Sequence, residues 1–316
     1  MSGATDRIVF HDVSKFYGEV LGVKRVSLEI PPGLTGLVGP NGSGKSTLMH
    51  LTSGLLRPSR GEVSVLGISP SRPEQLFPLV GYCTQYDTFP AGATGLGFLT
   101  MALALHGRDR ADAREQAWKV IEQVGMTDAA RRRIAGYSKG MRQRIKLAHA
   151  LAHSPQVLIL DEPLNGLDPM ARSEMIALMR HLAEAGRHVI VSSHILDELN
   201  QASDQVIMIH GGSVLAEGEI PKVRGEITRH PIQVLIRCDK VHALAARIFA
   251  LEHVVEAKML AEGEGLLVRT KDADGFLTSL NRMVLEAGIV VETVAPADDT
   301  VNAVYEYLIG GDGGGS

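Results

Sequence analysis

The sequence predicts an α/β protein, a mostly parallel sheet covered on both faces, followed by a smaller α+β unit. Three observations carry this. Val157–Leu160 and residues 189–191 are uninterrupted apolar runs, as in strands buried on both faces of a parallel sheet. Apolar residues 34–38 run directly into a glycine-rich stretch at 39–47, and Leu48, Leu51 and Leu55 then follow at helical spacing. That is a strand, a glycine loop and a helix in succession. Beyond about residue 231, extended and helical patterns alternate as strand, helix, strand, strand, helix, strand, the order of a split βαβ, ferredoxin-like domain.

The elements follow in order. Residues 7–13 and 23–30 read as strands, broken by Tyr17-Gly18 and ended by Pro31-Pro32-Gly33, and are expected to form a short antiparallel pair. Further strand patterns recur at 61–66, 79–84, 157–160, 188–192 and 205–210. Between about 91 and 153 the period becomes helical, with Ala117, Val120, Ile121 and Val124 on one face, so a helical insert is expected in the α/β core. Residues 221–231 are charged and irregular, which places a boundary near 225 between a domain at 1–225 and one at 226–309. In the second domain the strands are expected at 232–237, 254–259, 266–270 and 289–294, and the helices at 241–251 and 274–287. A last helix at 300–308 and a flexible tail at 310–316 complete the chain.

Composition narrows the class of function. At 316 residues the chain is long enough for two domains, at roughly 100 to 200 residues each. With 22% charged residues and a net charge of -4, no global basic field points to nucleic acid or an anionic membrane as the main partner. Cys83 and Cys238 lie far apart without ligand-like spacing and are expected to be reduced thiols of a cytosolic protein. The polar N-terminus lacks a secretory signal, and no run reaches the roughly 18 apolar residues of a membrane span. Residues 91–106 come closest and read as a packed or partner-facing helix, so any membrane span must belong to another chain.

The chemistry concentrates in two places. In Gly39-Pro40-Asn41-Gly42-Ser43-Gly44-Lys45-Ser46-Thr47 the glycines let backbone N–H groups turn onto phosphate oxygens. The helix N-terminus adds positive potential and Lys45 adds a full charge near the β and γ phosphates. The Ser46 hydroxyl can ligate Mg²⁺. Asp161-Glu162 closes the apolar strand at 157–160, a Walker B pattern in which Asp161 holds the metal and Glu162 acts as general base on the attacking water.

With both elements in place, residues 8–218 resemble the ATP-binding cassette (ABC) family. Tyr17 resembles the family's adenine-stacking aromatic, Gln85 its glutamine sensing Mg²⁺ and the γ phosphate, and His194 its switch histidine. Tyr137-Ser138-Lys139-Gly140-Met141-Arg142-Gln143-Arg144 is similar to the family's signature motif, with Lys139 where glycine is usual and Met141 where glutamine is usual. Ser138 and Gly140, the parts used on phosphate, are retained. Asn165-Gly166-Leu167-Asp168 resembles the loop that runs along the junction between two cassettes.

The resemblance implies a fold with an ATP-binding core, an antiparallel β subdomain and a helical subdomain at about 91–153. It also implies two ATP molecules sandwiched in a head-to-tail dimer. Each motif occurs once in the chain, so a second cassette is needed and a twofold homodimer is the simplest source. The expected protein is an ATP-hydrolysing subunit, with ATP and Mg²⁺ as cofactors, on the inner face of the cell membrane. It would drive export through a separate polytopic permease, which would dock on the helical insert. The alternative is a soluble ABC ATPase acting on nucleic acid or ribosomes, which usually carries paired cassettes or long coiled-coil insertions; neither is present.

Overall fold

The computed structural model describes residues 6–193, 203, 205–219, 232–260 and 265–296, and its contacts divide the chain into two units, Met1–Ile220 and Pro221–Ser316. In the first, strands β1 (Ile8–Tyr17) and β2 (Val20–Ile30) form a hairpin in which Tyr17 pairs with Val20 across Gly18-Glu19. Gly18 takes the left-handed conformation that such a two-residue turn requires. The inward residues of β2 are Val23, Val26, Leu28 and Ile30, which break strict alternation once. The register shift falls there, and Arg25 has a φ of 47°, so a bulge brings the pattern back onto the core face. The pair expected from the sequence is in fact a three-stranded antiparallel sheet, because β4 (Arg60–Val65) adds to the other edge of β1.

The central sheet contains β3 (Gly33–Val38), β5 (Val80–Cys83), β6 (Val157–Leu160), β7 (His188–Ser193), β8 (Gln205–His210) and β9 (Ser213–Glu219), in the order β5-β6-β7-β3-β8-β9. All neighbours are parallel except β8 and β9. Strands β6 and β7, whose apolar runs predicted a doubly covered sheet, lie inside it and are buried throughout. Parallel alignment brings the ends of β3, β5, β6 and β7 to one edge, which is where open α/β sheets bind their ligands.

Helix α1 (Lys45–Thr52) leaves that edge behind β3 and the short α2 (Pro73–Leu76) precedes β5. The helical insert comprises α3 (Gly95–Leu105), α4 (Arg110–Gln123) and α5 (Lys139–Leu151). Most of the apolar face of α3 is insert core: Leu96, Leu99, Ala102 and Leu103 are buried, whereas Met101 and Leu105 are exposed. Helix α6 (Pro169–Glu184), started by an Asp168 cap and a proline, leads into β7.

In the second unit, β10 (Ile232–Cys238), α7 (Val241–Ile248), β11 (Val254–Met259), β12 (Leu266–Thr270), α8 (Ala273–Ala287) and β13 (Val291–Pro296) form an antiparallel sheet in the order β11-β12-β10-β13. The first strand lies between the third and the fourth, which is the split βαβ arrangement. Leu244, Ile248, Phe276 and Leu280 of the helices pack with Val234, Ile236 and Val268 of the sheet. The expected last helix at 300–308, the tail at 310–316 and His194 lie outside the described residues.

Candidate functional site

Backbone geometry builds the phosphate loop. Gly44, the N-cap of α1, has a φ of 112°, and a Cβ there would lie 2.8 Å from the Gly22 carbonyl oxygen. No side chain caps α1, whereas Thr94, Asp109, Ser138 and Asp168 cap α3 to α6. The first-turn N–H groups of α1 therefore remain for an anion. The Ser43 hydroxyl is buried there with no hydrogen-bond partner among the described residues, a donor suited to a phosphate oxygen. The buried Lys45 ammonium donates to the Gly39 and Pro40 carbonyls at 2.6 and 3.0 Å. Burial pushes its pKa down, while Glu162 and then Asp161 oppose the shift.

Tyr17 stands at one wall. Its ring lies so close to Gly22 that a Cβ at that glycine would be 2.7 Å from a ring carbon, and its hydroxyl is 3.3 Å from Thr47 Oγ1. The residue is 44% exposed, which leaves a surface on which a base can stack. Tyr17, Asn41, Gly42, Ser43, Gly44, Lys45, Ser46, Thr47, Gln85, Asp161 and Glu162 line one open cleft of about 280 Å³, together with Val20, Leu21 and Gly22.

The acidic wall is held by a hydroxyl. Ser192 Oγ donates to Asp161 Oδ1 at 2.8 Å and accepts the Glu162 N–H at 2.8 Å. Tyr82 donates weakly to Asp161 Oδ2 at 3.5 Å; burial first, and Asp161 second, push its phenol pKa well above the usual range. Glu162 has a φ of 48°, and its Oε2 accepts Gln85 Nε2 at 3.0 Å and Asn165 Nδ2 at 3.2 Å. Ser46, Gln85 and Asp161 offer a hydroxyl, an amide carbonyl and a buried carboxylate, an all-oxygen set that fits Mg²⁺.

Ser138 and Gly140 do not line this cleft. Ser138 starts α5, its oxygen accepting the Met141 N–H at 3.2 Å, and its own proton remains available to donate. The Lys139 ammonium lies against Gly166, and Gly140 faces Ala171 and Leu167, so the signature stretch abuts the 165–168 loop of its own chain. Further along α5, buried Lys146 bonds Asp87 Oδ1 at 2.9 Å and the carbonyls of Thr84 and Gln85 at 3.1 and 3.2 Å. Arg142 bonds Asp87 Oδ2 at 2.8 Å. Burial opposes ionisation of Asp87, but these two cations outweigh it and hold its carboxyl below the usual range.

Sequence reasoning missed the parts played by Ser192, Asn165, Tyr82, Asp87 and Lys146. A signal existed for Ser192: consecutive serines at the end of a strand buried on both faces need partners. A lysine among the buried positions of α5 was a comparable one.

A phosphate loop and a paired acidic strand end on one edge of a parallel sheet define the class, a phosphate-loop ATPase. The sequence profile of the ABC transporter family matches residues 23–165. The daunorubicin/doxorubicin resistance ATP-binding protein DrrA of Streptomyces peucetius is 33% identical over 94% of this chain and 90% of its own length. The bacitracin transport ATP-binding protein BcrA of Enterococcus faecalis is 30% identical over 96% of each. Among solved structures, an ATP-binding subunit of an ABC transporter superimposes with a TM-score of 0.63 at 26% identity, over 70% of this chain and 92% of that one. The dimeric bacterial cassette MJ0796 gives 0.61 at 24% over 67% and 98%, and at that identity shows the fold alone. The chain belongs to the ABC transporter family as an ATP-binding subunit, and its activity is ATP hydrolysis.

Proposed function

We propose that this chain powers export through a separate polytopic permease by closing and reopening a homodimer around two ATP molecules. One observation carries the reading. The phosphate loop and both acidic residues line one cleft, while the single copy of the capped signature helix begins outside it. A twofold dimer supplies that missing wall from the second subunit.

Each residue then has a role. Tyr17 stacks on the base, and Gly39, Asn41, Gly42, Ser43, Gly44, Lys45 and Thr47 grip the phosphates. Ser46, Gln85 and Asp161 would hold Mg²⁺, which when bound neutralises phosphate charge. Glu162, oriented by Gln85 and Asn165, takes the proton from the attacking water. His194 contacts the γ phosphate, and Ser138 and Gly140 reach the nucleotide on the partner subunit. The Lys146 and Arg142 bonds to Asp87 join the Gln85 loop to α5, so occupancy of the cleft reaches the helical insert.

The insert, about 91–153, receives the permease on the cytoplasmic face of the membrane. Among the described residues no helix is long and apolar enough to cross a bilayer. The second domain, 226–309, braces the assembly. Export is supported by the drug-resistance and bacitracin-transport relatives. Copurification with a polytopic membrane protein that stimulates ATP hydrolysis tests the proposal. Stimulation by nucleic acid or ribosomes in its place would refute it.

A further inference from the structure

We infer that Ser192 is the positioning residue of the hydrolytic site, one hydroxyl that sets both the metal-holding carboxylate of Asp161 and the backbone of Glu162. The inference rests on the roles proposed above for those two residues. Ser192 is 1% exposed in β7, a strand buried along its whole length. A hydroxyl placed there costs stability unless both its donor and its acceptor capacity are used. Both are used within the site: the oxygen takes the Glu162 N–H at 2.8 Å, and the proton goes to Asp161 Oδ1 at 2.8 Å.

The direction of these bonds is unambiguous. An amide N–H can only donate, and the single Ser192 proton is therefore left for the carboxylate. This bond aims Asp161, in the manner of an outer-shell partner that orients a metal ligand. The other bond acts on a strained residue. Glu162 has a φ of 48°, in the left-handed region that a long side chain adopts only when its surroundings fix it. The Glu162 N–H bond to β7 is one such restraint, and it determines where the side chain leaves the strand end. Ser192 also lies two residues before His194. The bridge between the two acids and the proposed γ-phosphate sensor are thus only two positions apart in the sequence.

The test compares Ser192→Ala and Ser192→Cys with the parent protein. The thiol of Ser192→Cys keeps the shape but is a weak donor and acceptor, so it separates a lost hydrogen bond from a lost volume. Mn²⁺ in place of Mg²⁺, measured by electron paramagnetic resonance with a non-hydrolysable ATP analogue, is expected to bind about 10-fold more weakly in both variants. Steady-state kcat is expected to fall about 10- to 100-fold with little change in KM. Metal-free affinity for a fluorescent ATP analogue should stay within about twofold, because the phosphate loop is untouched. Parental Mn²⁺ affinity and kcat in both variants would overturn the inference. So would a loss of Mn²⁺ binding matched by an equal loss of metal-free nucleotide binding, which would mean a collapsed site. Glu162→Gln measured alongside keeps the two readings apart: rapid hydrolysis in that variant would end the general-base role, while the Mn²⁺ result for Ser192 would stand.

Discussion

Replacing Glu162 by glutamine preserves the shape of the side chain and one acceptor oxygen. The amide oxygen of Glu162→Gln can still accept Gln85 Nε2 and Asn165 Nδ2, which stand 3.0 and 3.2 Å from Glu162 Oε2. The Ser192 bond to the backbone N–H is unaffected. What disappears is the basic lone pair and one negative charge near Lys45, whose ammonium keeps Asp161 as a counter-charge. A general base contributes about 10²- to 10⁴-fold, equivalent to about 3 to 5 kcal/mol of barrier. The expected variant therefore binds ATP within about threefold of the parent, hydrolyses it at least about 100-fold more slowly, and accumulates as a closed dimer. Phosphate release, fluorescent nucleotide binding and sedimentation in the presence of ATP measure the three quantities. Turnover within about tenfold of the parent would refute the assignment of Glu162 as base.

Gly44→Ala combines a φ of 112° with a Cβ 2.8 Å from the Gly22 carbonyl oxygen, a backbone atom that cannot move aside alone. Strain and overpacking together should lower stability by about 2 to 5 kcal/mol and weaken ATP binding. A urea unfolding curve that superimposes on the parent's would contradict this. Burial pushes the pKa of His153 from 6.5 down to about 4, with His106 as the next cause. Between those values the unfolded chain holds a proton that the folded chain does not, so this contribution to stability is complete above about pH 6.5 and is lost as pH falls towards 4. For this partly buried ring, screening limits the effect to about 1 to 2 kcal/mol. The thermal midpoint of His153→Gln should therefore fall less between pH 7 and pH 5 than the parent's; equal falls would remove His153 as the cause.

Where the determining interactions are local, the fold was legible. The glycine loop, Asp161-Glu162 at a strand end and the Ser138 cap are each written within a few residues, and each occurs as expected. The β4 edge of the N-terminal sheet was not legible, because its pairing with β1 joins segments about 50 residues apart. Strand β9 was missed because its residues 213–219 are mostly half-buried and its short apolar run, Val214-Leu215-Ala216, gives way at once to Glu217-Gly218-Glu219. Its signal lay in the preceding Gly211-Gly212, both at positive φ, which form a hairpin turn. The Asp168-Pro169 start of α6 was a comparable local signal left unused. Within the site, the sequence could mark Ser192 and Lys146 as buried polar groups in need of partners but could not name those partners, because Asp161 with Glu162 and Asp87 with Gln85 reach them only when separate strands and helices pack.

The central claim is that each ATP is held by the phosphate loop of one subunit and the capped helix of the other. Mixing two disabled variants tests it directly. Lys45→Ala removes the phosphate grip but leaves Ser138 intact, and Ser138→Arg blocks the capped helix but leaves the loop intact. Each variant alone should be close to inactive. A mixed dimer pairs the good loop of one with the good helix of the other, so random pairing should recover about a quarter of the parental hydrolysis rate. A mixture no more active than the mean of its two components would contradict the account.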